Sequence, residues 1–274
     1  MVNLITLAGR GDRFLRGGYE VPKPLIKVNS DYMICEAVKC LPNCDNYVFV
    51  CLRKHVKKYN IDDILYNRYP NSKIVFIDEV TEGQACTAEI GIIDAKINLD
   101  EPLLISSCDY GLEWDEDKYN SLNSDIIVWT TINNESFASN PSSYSWLDVY
   151  NETLVKTYVK QKVFDDSYNN HAIVGTFYFK KAKYFLDGVR RIYDGNIKSN
   201  GEFYIDNIFN TLSELDIKIF DVEKYHCWGT PEELKKYEEM KEKAEEVKTL
   251  VTDAGILEQA EKHLQELEKV KSLI

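Results

Sequence analysis

The first 28 residues constrain this chain most. Val2-Asn3-Leu4-Ile5-Thr6-Leu7-Ala8 is a mainly apolar run without regular polar alternation, which reads as a strand covered on both faces. Gly9-Arg10-Gly11-Asp12-Arg13-Phe14 follows at once, and Pro22-Lys23-Pro24-Leu25-Ile26-Lys27-Val28 comes shortly after. A strand running straight into Gly-x-Gly gives a backbone that turns sharply and lets a ligand approach closely. Successive free N–H groups in such a loop form a concavity for an anion, and Arg10, Arg13 and Lys23 add cations suited to a triphosphate. A tight turn after a strand also calls for glycine, so the Gly-x-Gly fragment alone leaves both uses open. It is not the dinucleotide fingerprint, because Phe14 stands where the third glycine belongs, and not a P-loop, because no Gly-Lys-Ser/Thr follows.

Strand and helix patterns then alternate. Met33, Ile34, Ala37, Val38 and Leu41 have helical spacing, 47–52 reads as a buried strand, 53–69 as amphipathic helix and 73–77 as the next strand. This predicts an α/β fold with a mixed, mainly parallel sheet flanked by helices, whose ligands collect at the carboxyl ends of the strands. Gly83 and Gln84 open a helix after the third strand. Gln84 offers a donor and an acceptor to a base edge, although an ordinary helix start has the same look. Another apolar strand ends in Cys108-Asp109-Tyr110, where Asp109 either caps the next element or meets a cation.

From Asp125 the strands become rich in Val, Ile, Thr and Tyr, at 126–132, 144–150, 154–160 and 172–179. Helices are expected at 180–194 and from Gly201 to Leu212, the second placing Glu202 and Asp206 on one face. Two carboxylates early in a helix also simply complement its dipole. After a strand at 217–222, Thr230 as N-cap, Pro231 at the first helical position and Glu233 at the third make a strong helix start. Apolar residues at 237, 240, 244, 247 and 251, then 257, 260, 264 and 267, give the tail a helical seam for packing back or for pairing with a second subunit. The expected organisation is residues 1–231 as one domain, with halves 1–124 and 125–231, and 232–274 as a helical C-terminal extension.

Composition narrows the partners. A net charge of −12 weighs against nucleic acid, which normally demands a basic footprint. It does not weigh against one nucleotide, since a cation about 4 Å from a phosphate contributes roughly 4 kcal/mol at an effective dielectric near 20. No apolar stretch approaches about 18 residues, so no membrane span is expected. Seven cysteines without a Cys-x-x-Cys, and an N-terminus without a leader pattern, lead us to expect a reduced, cytoplasmic protein.

Leu7-Ala8-Gly9-x-Gly11-x-Arg13-Phe14 followed by Pro22-Lys23-Pro24-Leu25 resembles the signature of the nucleotidyltransferases that activate sugar phosphates and similar phosphorylated small molecules. Trp228-Gly229-Thr230-Pro231 resembles the capsule-biosynthesis branch of that family, and the resemblance covers about residues 1–237. It implies a GT-A-like, Rossmann-like fold and transfer of a nucleotide monophosphate from an NTP to a phosphate acceptor, with pyrophosphate released. The overall character is similar to the CTP:phosphoglutamine cytidylyltransferases, which implies CTP and an amino-acid phosphate acceptor. A sugar-1-phosphate acceptor with CTP, UTP, dTTP or GTP is the alternative.

The resemblance assigns Arg13 and Lys23 to catalysis, and Leu7, Ala8, Gly9, Arg10, Gly11, Gly83 and Gln84 to the nucleotide. It gives Lys162, Gly175 and Glu202 to the acceptor, with Lys160 as an alternative because the family's Glu-Lys is Gln161-Lys162 here. Mg²⁺, or Mn²⁺ in its place, would sit on Asp109 and Asp206, with Glu202 as the alternative to Asp206. Partners are then an NTP and a phosphorylated small molecule, with neither nucleic acid nor membrane, and a second copy through the C-terminal helices. From other classes, a glycosyltransferase of similar fold would carry Asp-x-Asp where Cys108-Asp109-Tyr110 stands, and a non-catalytic nucleotide-binding subunit would bind an NTP without turnover.

Overall fold

The structure, a computed structural model, describes residues 1–252 apart from Asp166, with side chains described to Glu245. Nine strands form the main sheet: β1 (Val2–Thr6), β2 (Asn46–Leu52), β3 (Lys73–Ile77), β4 (Leu103–Ser106), β5 (Ile126–Thr131), β6 (Trp146–Tyr150), β7 (Thr153–Tyr158), β8 (Ala172–Phe179) and β9 (Ile217–Asp221). Their spatial order is β3-β2-β1-β4-β8-β5-β9-β7-β6.

The opening strand is buried throughout because both of its faces are covered. Leu4 packs with Val50, Ile105, Val128 and Phe177 beneath the helices Gln84–Asp94 and Ala182–Asp194, supplied by Ile92, Phe185 and Val189. Its neighbour Ile5 faces the other way, onto Ile34 and Val38 of the helix Met33–Lys39 and Leu65 of the helix Ile61–Arg68. Period-two alternation along the strand thus serves two cores at once.

The expectation of a mainly parallel sheet holds for the first half. β1 runs parallel to β2 and β4, and β2 parallel to β3. In the second half it is corrected: β5 and β9 are parallel, but β8 runs antiparallel to β4 and β5, and β6, β7 and β9 are joined by antiparallel pairings. Asn151 and Glu152 both have positive φ, 47° and 60°, the backbone of a tight hairpin that reverses β6 into β7. A further pairing of Trp146 with Ala172 returns β6 to β8, so this half of the sheet curls onto itself.

The helix expected from Gly201 to Leu212 is replaced by two single turns, Ile205–Asn207 and Phe209–Thr211. Tertiary pairing overrides the local pattern, because the Phe203 N–H donates to the Glu82 carbonyl at 2.8 Å and its carbonyl accepts from the Ala85 N–H at 3.1 Å. Glu202 and Asp206 therefore do not share a helical face.

The helix Pro231–Thr252 begins where the sequence places it, with the Glu233 N–H donating to the Thr230 hydroxyl at 3.2 Å. Its first turns pack through Leu234 and the preceding Trp228 onto Phe14, Ile26, Val28, Met33 and Ala37. Trp228 fits because Gly111 has no side chain, as a Cβ there would lie 2.7 Å from the indole. The second stretch of the tail seam, 257–267, lies outside the described residues. Among the described residues no helix is long and apolar enough to cross a membrane.

Trp228 ties the glycine-loop segment to the C-terminal helix while almost fully buried. Trp228→Ala should lower stability by about 3–5 kcal/mol, read as a fall in the urea midpoint without a change in its slope.

Candidate functional site

A cleft of about 660 Å³ opens at the carboxyl ends of β1 and β4. Eleven of the residues singled out in the sequence line it: Leu7, Ala8, Gly9, Arg10, Gly11, Arg13, Lys23, Gly83, Gln84, Asp109 and Glu202. Gly11 has a φ of 68°, a left-handed backbone that lets the chain leave β1 and enter the short helix Asp12–Arg16. Arg10 and Arg13 are solvent-exposed on the cleft wall.

Lys23 reaches the cleft from a single helical turn, Lys23–Leu25, framed by Pro22 and Pro24. Its Nζ donates to Asp109 Oδ2 at 2.6 Å, and the two side chains remain 20% and 30% exposed, which leaves the pair open to a ligand. The Ser107 hydroxyl donates to the other carboxylate oxygen. Burial opposes charge on both groups, yet each sustains the other: Asp109 holds Lys23 above the ordinary lysine value, and Lys23 with Ser107 holds Asp109 below the ordinary carboxylate value. The two are a charged pair at neutral pH.

Gln84 donates from Nε2 to the Thr6 hydroxyl at 3.2 Å, which fixes the amide at the end of β1. Gly83 has a φ of 144°, and a Cβ on it would lie 2.4 Å from the Phe203 carbonyl oxygen. Its bareness is thus required by the chain at Phe203, where the sequence alone offered a close approach to a ligand or an ordinary helix start.

Other residues singled out lie off this lining. Asp206 is only 6% exposed, where it accepts from the Ser145 hydroxyl. Burial raises its pKa, against the lowering effect of Lys160 and Ser145. Lys160 donates to the Ser143 carbonyl at 2.9 Å and lies 5.3 Å from the centre of the Tyr204 ring, while Lys162 is exposed in the segment that follows. Gly175, with a φ of 100°, makes room for the Tyr110 ring, which would lie 3.2 Å from its Cβ. The Tyr110 hydroxyl in turn bonds the hydroxyls of Ser106 at 2.8 Å and Thr176 at 2.9 Å, a buried network next to Asp109 in sequence.

Sequence reasoning missed Gly229 as a cleft residue. Trp-Gly-Thr-Pro was legible as a helix start, but its place depends on a pairing across more than a hundred residues. The strands Tyr110–Glu113 and Lys224–Cys227 pair antiparallel, and the Trp228 N–H donates to the Asp109 carbonyl at 2.9 Å. Among the described residues, no group of three or more His, Cys, Asp or Glu side chains has the arrangement of a closed metal site. One or two carboxylates facing a cleft, with water and phosphate oxygens completing the shell, is the arrangement Mg²⁺ favours, and Asp109 fits that description.

No family model matches the chain, and no curated protein matches it. Solved structures do. A nucleoside-diphosphate-sugar pyrophosphorylase from Vibrio cholerae superposes with a TM-score of 0.70 at 15% identity, covering 86% of this chain and 99% of its own. The inositol-1-phosphate CTP transferase from T. maritima gives 0.67 at 15% identity, over 86% and 93%. HddC from Yersinia pseudotuberculosis complexed with GMP-PN gives 0.59 at 17% identity, over 86% and 97%. This chain shares their fold.

Gly83→Ala would combine a left-handed backbone with a side chain driven into Phe203. Strain of this kind costs about 1–3 kcal/mol before the collision is counted. We expect a destabilisation above about 2 kcal/mol in urea titration.

Proposed function

We propose that the chain is a nucleotidyltransferase that transfers a nucleotide monophosphate, CMP from CTP in the first instance, to a phosphorylated small-molecule acceptor and releases pyrophosphate. The observation that carries this reading is the convergence on one cleft of a glycine loop, Arg10, Arg13, and the Lys23–Asp109 pair. Such a cleft is built for a polyphosphate, with exposed cations on one wall and a carboxylate able to take a hard cation on the other.

In this reading an acceptor phosphate oxygen attacks the α-phosphorus in line. A new phosphorus–oxygen bond forms as the bond from the α-phosphorus to the bridging β-oxygen breaks, and the electron pair leaves with pyrophosphate. The acceptor oxygen is already anionic at neutral pH, so little proton transfer is needed and the protein acts mainly through position and charge. Lys23, kept protonated by Asp109, neutralises charge building at the α-phosphate. Arg13 and the loop amides hold the β- and γ-phosphates, and Gln84 presents donor and acceptor to the base. Mg²⁺, or Mn²⁺, held through Asp109 would supply further neutralisation of the phosphates. Lys162, or Lys160 near it, orients the acceptor phosphate, and Glu202, which lines the cleft, takes part in holding the acceptor.

The pairing of CTP with an amino-acid phosphate such as phosphoglutamine, in capsule biosynthesis, rests on the sequence resemblance. The inositol-1-phosphate CTP transferase shares the fold and supports cytidylyl transfer as a chemistry for it. The nucleoside-diphosphate-sugar pyrophosphorylase favours the second reading, a sugar-1-phosphate acceptor. We further propose a cytoplasmic enzyme, a nucleotide-binding half at 1–124, an acceptor half at 125–231 and a helical extension from 232 that pairs two copies.

Pyrophosphate release with Mg²⁺, each of the four common NTPs and a panel including glutamine phosphate and glucose-1-phosphate tests the reaction. Release with CTP and one acceptor is the expected result. An NTP that raises the melting temperature without release under any acceptor would instead favour a binding subunit. Lys23→Ala should lower kcat at least about 100-fold with the fold intact.

The same variant makes a pH prediction. Because the folded pKa of Asp109 is depressed, its ionised form persists until the pH falls below the usual carboxylate value of about 4. Without Lys23, burial acts on Asp109 unopposed by that ammonium, so the acidic limb of Mg²⁺-dependent CTP binding should move upward in pH.

A further inference from the structure

We infer that Thr6, at the end of β1, is the positioning residue that decides which base the cleft accepts, by locking the Gln84 side-chain amide in one of its two flips; this rests on the nucleotidyltransferase reading above. Both residues line the cleft. The Thr6 hydroxyl has a single proton, and it donates that proton to the Ser106 carbonyl at 3.3 Å. Ser106 is fully buried, so no water takes over there if the hydroxyl turns away. Toward Gln84 the Thr6 oxygen can therefore only accept, and the amide meets it with Nε2 at 3.2 Å. The opposite flip would set Oε1 against the lone pairs of the hydroxyl and leave a buried contact unpaired.

The main chain beneath the amide is fixed as well. The Gly83 carbonyl accepts from the hydroxyls of Thr81 at 2.8 Å and Thr87 at 3.3 Å, and the Ala85 N–H donates to the Phe203 carbonyl at 3.1 Å. Gln84 thus reaches the cleft with its backbone held and its amide unable to turn over, which leaves Oε1 and the second N–H of Nε2 for a ligand. Bases offer such an amide two kinds of edge. Cytosine and adenine set an exocyclic amine beside a bare ring nitrogen, whereas uracil and guanine set a carbonyl beside a ring N–H, the reverse order of donor and acceptor. An amide free to flip serves both orders, and a locked one serves a single order. In the proposed reading the base admitted is cytosine, and uracil is the one turned away.

The test is isothermal titration of the full-length protein with CTP, UTP, ATP and GTP in the presence of Mg²⁺, on the wild-type chain and on Thr6→Val, Thr6→Ala and Thr6→Ser. Valine keeps the shape and strand preference of threonine, and alanine removes the hydroxyl without adding bulk, so a folding defect peculiar to one of them does not decide the result. The expected result is a wild-type dissociation constant for CTP at least about tenfold below that for UTP, the scale of one amide–base pair. That ratio should narrow to less than about threefold in Thr6→Val and Thr6→Ala and return in Thr6→Ser. If every nucleotide weakens alike and the ratio survives in the valine and alanine variants, Thr6 is merely structural and the inference fails. A wild-type chain that binds CTP and UTP equally, and ATP and GTP equally, also overturns it, while pyrophosphate release would keep the nucleotidyltransferase reading standing. A preference for UTP, or for one purine over the other, that narrows in the same two variants sustains the role of Thr6 and overturns the choice of CTP. Binding of no nucleotide removes both.

Discussion

The Lys23–Asp109 pair is the contact on which the candidate site depends. It joins the segment after the glycine loop to the end of β4, elements 86 residues apart in sequence. A lysine there without a counter-charge would tend to lose its proton, and a carboxylate without one would tend to gain it. Each keeps the other ionised, so the cleft presents a fixed dipole before any ligand arrives. Such preorganisation adds little to stability, because desolvating two ions offsets much of their attraction, and in the proposed reading it places a cation where negative charge would develop.

In the proposed reading, the same pair accounts for how a chain of net charge −12 would receive a triphosphate. Most of that charge sits away from the cleft and is screened within about 8–10 Å at physiological salt. Inside the cleft the balance differs: Arg10, Arg13, Arg16 and Lys23 face Asp12, Asp109 and Glu202. Local arrangement decides the binding, and the global sum decides solubility and which polyanions stay away.

What was legible in the sequence was whatever is encoded over short range. β1, the glycine loop and the Thr230–Pro231–Glu233 helix start are determined within a few residues, so pattern and cap chemistry suffice to find them. Positions whose meaning comes from distant pairings were legible in type but not in role. Gly83 reads as a glycine for a ligand, whereas the Phe203 backbone already occupies the space beside it. Glu202 and Asp206 read as one helical face, and the same Phe203 contact breaks that helix. The hairpin at Asn151 and Glu152 lacks the glycine that ordinarily announces such a turn, and the antiparallel seating of β8 between β4 and β5 is set by long-range pairing with little local signal.

Phe203 also couples the two halves of the molecule. Its N–H and carbonyl hold both sides of the turn at Gly83, and Glu202 beside it forms part of the cleft. Any shift of the segment around Phe203 must therefore move the turn that carries Gln84. On the opposite side, the pairing of Tyr110–Glu113 with Lys224–Cys227 ties Asp109 to the start of the C-terminal helix. The cleft is thus gripped by two backbone connections, each joining segments more than a hundred residues apart. Side chains that meet a polyphosphate need positions held to a fraction of an ångström, and main-chain hydrogen bonds hold them more rigidly than surface side-chain contacts would. The long-range pairings that kept the roles of these residues from being read in the sequence are the same ones that give the site its rigidity.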